Sequence, residues 1–409
     1  MTDAIPAAAT LRRRSLEGVL AHAWDADAFT ASDVMGAVGL TRSTTIDVLD
    51  ELVARGLLAE MPNARSVGEY SKGRPARRFA FRPDAAVVVG VDAGRGHVTA
   101  TVADLRGHTL ATSRLAVDPE RDSPDRRRRA AEATVDATLT RAHRDRSDIA
   151  ALCVGVPAPV DRSGRSPLHH DRFWERMNPG FVDTFADWAP VVRVENDASL
   201  AAVAERARGA AVGVDDFIAL LAGERFGAGI WVDGRLLRGA HGGAGETVAF
   251  DRVTGVGGAE GLAPRCVDAA RAAIASGRLP PGSALASADP AALDAKTVLD
   301  LARAGDAGAL AIAQEVGGAL SIVAATLGSL FDVRRVVVSG AIAAGAEPII
   351  AAARAALPRA LDLPAPEIVA SPLGADIVSI GAVAAAVDAA RSHALDLLAF
   401  APTDARARA

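Results

Sequence analysis

Apolar residues return at helical spacing from Leu11 to Ala23, with Leu16, Val19, Leu20 and Ala23 on one face. Thr30-Ala31-Ser32-Asp33 predicts the start of a second helix. Thr30 can cap it, Asp33 stands at its third position, and Val34, Met35 and Val38 are apolar. Gly39 permits a tight turn and Leu40 can plug the core. Thr41-Arg42-Ser43-Thr44-Thr45 then opens a third helix, whose Ile46, Val48, Leu49 and Leu52 are expected to pack inward. It ends at Gly56, the place of a left-handed C-cap. Leu57-Leu58-Ala59-Glu60 reads as a strand, Ser71-Lys72-Gly73-Arg74-Pro75 as a turn, and Arg77-Arg78-Phe79-Ala80-Phe81 as the returning strand.

After Pro83 the pattern changes. Val87-Val88-Val89-Gly90-Val91-Asp92 predicts a buried strand running into the glycine turn Ala93-Gly94-Arg95-Gly96. A second strand follows from Val98 to Asp104, with Arg106-Gly107 at a hairpin tip. Residues 124–145 predict a charged helix whose arginine run at 126–129 forms a solvated face, and residues 149–156 a strand entering Pro157-Ala158-Pro159. Val191-Val192-Arg193-Val194 is a strand that ends abruptly in Glu195-Asn196-Asp197, before an alanine-rich helix running to Gly209. The grammar then returns: Phe217-Ile218-Ala219-Leu220-Leu221-Ala222-Gly223 is a strand into a glycine turn, and residues 229–235 a hairpin. Two copies of strand, glycine turn and hairpin predict a duplicated α/β lobe with a cleft between the copies.

At 409 residues the chain has room for two or three domains. Its two cysteines, Cys153 and Cys266, exclude a disulfide framework and any three- or four-thiolate zinc site, and fit a reducing cytoplasm. Leu11-Arg12-Arg13-Arg14 leads into no unbroken apolar core, so no export signal is expected. Every apolar run of about 18 residues carries a charge, so no membrane partner is expected. The net charge of −5 is unevenly spread: residues 65–82 hold six basic side chains against Glu69 alone. A polyanion could dock there.

Helix, glycine turn, then a helix opening on hydroxyls and an arginine is the plan of a helix-turn-helix, and the hairpin after it makes a wing. On that plan Ser32, Thr41, Arg42, Ser43, Thr44 and Thr45 face double-stranded DNA. The hydroxyls and the helix N-terminus suit phosphates, and Arg42 suits guanine. Lys72 and Arg74 at the wing tip would enter the flanking minor groove or grip the backbone. A protein–protein module of the same shape is the alternative, and the basic wing favours DNA. One winged helix offers few specific contacts, so a homodimer on paired half-sites is expected. Asn196 and Asp197 allow two readings. They could cap the helix that follows, or furnish a small-molecule site in which Asp197 acts as a general base on a hydroxyl.

These motifs in this order resemble the ROK family, which joins bacterial sugar-responsive repressors to sugar kinases on an actin/hexokinase-like fold. The markers are Ser71-Lys72-Gly73-Arg74-Pro75, Val89-Gly90-Val91-Asp92-Ala93-Gly94, Gly155-Val156-Pro157-Ala158-Pro159-Val160-Asp161 and Val194-Glu195-Asn196-Asp197-Ala198. Arg238-Gly239-Ala240-His241-Gly242-Gly243-Ala244-Gly245-Glu246, Val336-Val337-Val338-Ser339-Gly340 and Ser379-Ile380-Gly381-Ala382 continue the series. The resemblance covers essentially the whole chain. It implies an α/β protein with a winged helix-turn-helix at 1–82 and a first actin-like lobe at 83–195, closed by a C-terminal helix at about 380–398. A second lobe and dimerisation region would follow at 196–379.

In the family's kinases the aspartate aligned with Asp197 is the catalytic base, while the residues aligned with Asn196 and Glu246 hold sugar hydroxyls. Other parts of that machinery are missing. Ala249 stands where the family has a histidine that touches the sugar and ligates zinc, and Val256-Gly257-Gly258-Ala259-Glu260-Gly261-Leu262 replaces the zinc cysteines. His241 alone makes no metal site. The first phosphate turn has Gly96 in place of a threonine, and the second reads Gly223-Glu224-Arg225-Phe226-Gly227, bringing a carboxylate and a long side chain where glycines would admit phosphate. The resemblance therefore implies a repressor of carbohydrate-related genes, with no zinc, no ATP and an inactive Asp197. Asn196, Asp197 and Glu246 would floor a cleft for a sugar or sugar-derivative effector. An active sugar kinase that also binds DNA, and a regulator that has lost its ligand, are the alternatives.

Overall fold

The computed structural model describes residues 7–62, 76–119, 121, 123–357 and 363–397. Its N-terminal module runs α1 (Ala7–Asp25), β1 (Phe29–Thr30), α2 (Ala31–Val38), α3 (Arg42–Ala54), β2 (Leu58–Met61) and β3 (Arg78–Phe81). Thr30 and Asp33 form the capping box at the start of α2, and Gly39 ends that helix in the left-handed region at φ 73°. Leu16, Val19, Leu20 and Ala23 are all buried, as their spacing predicts. Strand β1 escaped the sequence pattern because two residues carry no alternation. It pairs with β3, giving the antiparallel order β1-β3-β2. Ile46 is a correction: it is 36% exposed, and Thr45 takes the inward position beside Val48, Leu49 and Leu52. The wing turn at 71–75 lies outside the described residues.

The first lobe comprises β4 (Val87–Asp92), β5 (His97–Asp104), β6 (Thr109–Ala116), α4 (Pro124–Arg141), β7 (Ile149–Val156), α5 (Phe173–Met177), α6 (Phe181–Thr184) and β8 (Val191–Asn196), with α7 (Asp197–Arg208) leaving it. Its sheet has the order β6-β5-β4-β7-β8, antiparallel from β6 to β4 and parallel from β4 to β8. The second lobe repeats this plan. Strands β9 (Phe217–Leu221), β10 (Gly227–Val232), β11 (Arg235–Leu237), β12 (Arg335–Ser339) and β13 (Glu367–Ala370) order as β11-β10-β9-β12-β13. Around that sheet run α8 (Leu262–Ala275), α9 (Ala295–Arg303), α10 (Ala307–Phe331) and α11 (Glu347–Ala356), and α12 (Ile377–Leu397) returns to the first lobe. Strands β4 and β7 are buried at every position because α4 and α12 cover the sheet. Helix α10 is long and apolar enough to cross a membrane by length and composition, but half of that stretch is buried against its neighbours.

Helix α7 is the joint between the lobes. A Cβ at Gly229 on β10 would come within 2.0 Å of the Ala198 carbonyl oxygen, and one at Gly381 on α12 within 2.0 Å of that of Leu200. Only glycine lets a second-lobe strand and the C-terminal helix press so closely on its two sides. The far end of α12 meets the N-terminal module. Arg13 donates to both oxygens of Asp396 at 2.8 and 2.7 Å, and Arg391 to both of Asp25 at 2.9 and 2.6 Å. Between them Leu20 and Trp24 join Ala394 and Leu395 in one continuous core that reaches into the first lobe. Exposed ion pairs contribute little to stability, so apolar burial holds the modules together and the arginines set their orientation.

Candidate ligand cleft and DNA-facing helix

The N-terminal turn of α3 is built from hydroxyls. Thr41 caps the helix, its Oγ1 lying 3.2 Å from the Ser43 hydroxyl and 2.9 Å from that of Thr44. Thr41, Arg42 and Ser43 are exposed and Thr44 half so, and Ser32 is exposed near the start of α2. Thr45 does not belong with them. It is fully buried, and its hydroxyl donates to the Thr41 carbonyl at 2.9 Å, so it holds the turn from within and cannot reach DNA. The acids further along α3 are partly neutralised: Asp50 pairs with Arg77, and Glu51 with Arg12 and Arg55. Lys72 and Arg74 lie outside the described residues.

At the end of β8 the two readings of Asn196 and Asp197 separate. Asn196 caps α7, accepting from the Ser199 amide at 3.0 Å, while its side-chain amide donates to the Ala158 carbonyl at 3.2 Å. Asp197 opens the helix and accepts from the Ala198 amide at 2.8 Å. Desolvation in the cleft floor pushes its carboxyl up to about 7, with the charges of Asp92 and Glu246 adding to the shift against the Ala198 amide. Glu246 comes from the other lobe, on a loop whose Gly242 lies directly on the Val160 carbonyl of the first lobe. Glu246 is exposed to solvent. Desolvation still raises its carboxyl above the ordinary range, against the opposing charges of Arg225 and His169. Asp197 is thus brought within electrostatic reach of Glu246, far off in sequence, and of Asp92.

Both glycine turns are braced by the protein itself. At the first, the His97 ring bonds Asp92 at 2.9 Å and covers Gly94, where a Cβ would sit 2.5 Å from the ring. Beneath it the expected solvated face of α4 is corrected at Arg127. This residue is fully buried, and its guanidinium donates to the carbonyls of Ala93 at 3.0 Å, Gly94 at 2.9 Å and Arg95 at 3.2 Å. Buried arginine is tolerated there because the turn offers it several acceptors at once. At the second turn, the carbonyls of Ala222, Gly223 and Glu224 accept the amides of Leu262, Ala263 and Gly261 at the start of α8. Glu224 and Arg225 point to solvent, and the Arg225 charge acts on Glu246.

Zinc of the family kind does not fit. Val256, Ala259 and Leu262 pack as buried apolar residues in the loop that replaces the cysteines, and Ala249 is exposed. The Cys266 thiol is buried on α8, which pushes it up to about 12 and away from the thiolate a metal needs. Sequence reasoning passed over one group near the cleft: His169, His170 and Asp171, in the segment between β7 and β8. Two adjacent histidines followed by an aspartate were the available signal.

The ROK family model matches residues 88–388. The chain belongs to the ROK family. Among its relatives, a xylose repressor of Caldicellulosiruptor bescii is 26% identical over 51% of this chain and 51% of its own length. A glucokinase of Halalkalibacterium halodurans is 25% identical over 53% of this chain and 68% of its own. The ROK chain thus spans about half the length of the repressor it matches. A solved ROK family transcriptional regulator, described as a homologue of the E. coli MLC protein, superposes with a TM-score of 0.75 at 20% identity. It covers 95% of this chain, with 99% of its own length matched. That likeness extends the shared architecture through the N-terminal module. The fold is a winged helix-turn-helix carried by a two-lobed, actin-like ROK body.

Proposed function

We propose that this ROK protein is a DNA-binding transcriptional repressor of carbohydrate-related genes, acting as a homodimer, whose cleft takes a sugar or sugar derivative. The observation that carries the reading is the turn at the start of α3, with Arg42 and Ser43 exposed and Thr44 half-exposed, on a module docked through α1 to α12. The named repressor among its relatives supports the same assignment. Asn196, Asp197 and Glu246 form the polar floor on which ligand hydroxyls would rest, with acceptors from both lobes. A ligand that binds the closed cleft better than the open one moves α7, which begins at that floor. The glycine contact at Gly381 passes the movement to α12 and thence to α1. Calorimetric titration of the full chain with monosaccharides tests the cleft. A binder is expected whose affinity falls at least tenfold in Asp197→Ala, and a panel of common sugars without a binder removes the sensing role.

One observation favours a second reading. A carboxyl near 7 is well poised as a general base, so Asp197 retains the property a sugar kinase needs. Against it stands the His97 ring over the first turn. An ADP-release assay over hexoses and amino sugars is expected to show no turnover. Turnover abolished by Asp197→Asn would establish the kinase.

A further inference from the structure

We propose that His169, His170 and Asp171 form a binding site for a divalent transition ion of the imidazole-preferring kind, at the lip of the cleft. One donor atom from each of the three side chains lies within 4.8 Å of the other two. Side chains of consecutive residues in an extended strand diverge, and here the backbone prevents that. The Arg172 amide donates back to the His169 carbonyl at 2.9 Å, with Arg172 in the left-handed region at φ 58°. This turn folds the three side chains together. A non-glycine residue held at positive φ is a local strain that surrounding structure must support.

That support is present on three sides. The His169 ring packs at 4.3 Å on Trp174 and 4.1 Å on His170, and its backbone amide donates to Glu175 at 3.1 Å. Asp171 takes the Phe173 amide at 2.9 Å and also bonds the His169 ring. An ion with bonds of about 2.0–2.2 Å holds tetrahedral ligands roughly 3.4 Å apart, so the His169–Asp171 hydrogen bond opens to admit the ion and the His170 donor shifts by up to about 1.4 Å. His170 is exposed and can supply that movement by rotating.

Two imidazoles with one carboxylate select zinc, nickel, cobalt or copper over magnesium or calcium, which prefer all-oxygen shells. Three protein ligands leave a fourth position for water or a ligand atom. His169 is close enough for its charge to act on Glu246, so the site borders the cleft floor. It shares no residue with the zinc loop that the family resemblance implies, and it stands whether or not the chain binds DNA.

The test uses the full chain, stripped with chelator and titrated with zinc chloride by calorimetry, with retained metal counted by elemental analysis and magnesium chloride as control. One zinc per chain and no magnesium is expected. Binding should weaken at least tenfold in both His170→Ala and Asp171→Asn, and zinc should raise the melting temperature of the wild type alone. Each variant's metal-free melting temperature and circular dichroism spectrum are recorded, so that a folding defect shows separately. No zinc retained by the wild type, or affinity unchanged in both folded variants, overturns the site.

Discussion

Desolvation, together with the charges of Asp92 and Glu246, holds the Asp197 carboxyl near 7, so the folded chain binds its proton more tightly than the unfolded chain does. A raised carboxyl contributes stability in its protonated form. That contribution is full below the ordinary value of 3.8 and is lost as pH rises through about 7. Asp197→Asn keeps the amide-like neutral form at every pH. Its melting temperature should therefore match the wild type near pH 4 and exceed it by roughly 2–4 °C above pH 8. A constant difference across that range would show that the carboxyl is not raised. At the proposed DNA surface, Arg42→Ala should lose about 1–3 kcal/mol of discrimination at one base pair, measured by competition among single-base variants of a selected duplex. Lys72→Ala should instead weaken all duplexes alike and lower the salt slope by about 1. The Arg42 turn was legible because capping hydroxyls and an exposed arginine follow a glycine turn. The burial of Thr45 was not. A threonine at the fourth position of a helix can face either way, and only the inward turn of Val48, Leu49 and Leu52 decides it.

Among the elements, α7 and α12 connect the cleft to the N-terminal module, and on our proposal they couple the two. Their crossing leaves no room at Gly381, so Gly381→Ala should destabilise the chain by about 1–3 kcal/mol through overpacking. It should also weaken any effect of a cleft ligand on DNA affinity. Trp24→Ala acts at the other end of α12. Removing this buried ring should cost about 3–5 kcal/mol and free the N-terminal module. Calorimetric unfolding should then split into two transitions where the wild type shows one, and a single transition in the variant would mean the modules do not unfold separately. Strands with continuous valine runs, and helices with caps, could be read directly from the chain. The helix over 124–141 was read as a helix but its face was misjudged. Four consecutive arginines look solvated by composition, and nothing local reveals that Arg127 meets three backbone carbonyls more than thirty positions away.

Across the whole molecule, one lobe plan is used twice, and the cleft is made where the two copies share α7. The repeat was legible because the strand and glycine-turn grammar occurs twice in order. The division at 83–195 and 196–379 remains our proposal for the functional lobes. What the sequence concealed was how the turns are braced, because Arg127 and the start of α8 reach them through tertiary packing, and His97, though adjacent, folds back over Gly94. The His97 ring covers the first turn while Asp197 and Glu246 keep contact with solvent, which supports our proposal of a cleft that senses over one that transfers phosphate.

In-vitro selection from a pool of randomised duplex DNA, using the full chain as bait, bears most directly on the central claim. The account predicts enrichment of a two-fold symmetric motif whose half-sites are spaced by about one helical turn or a multiple of it, with loss of the preferred base at one position in Arg42→Ala. A pool that remains unenriched after repeated rounds would contradict it.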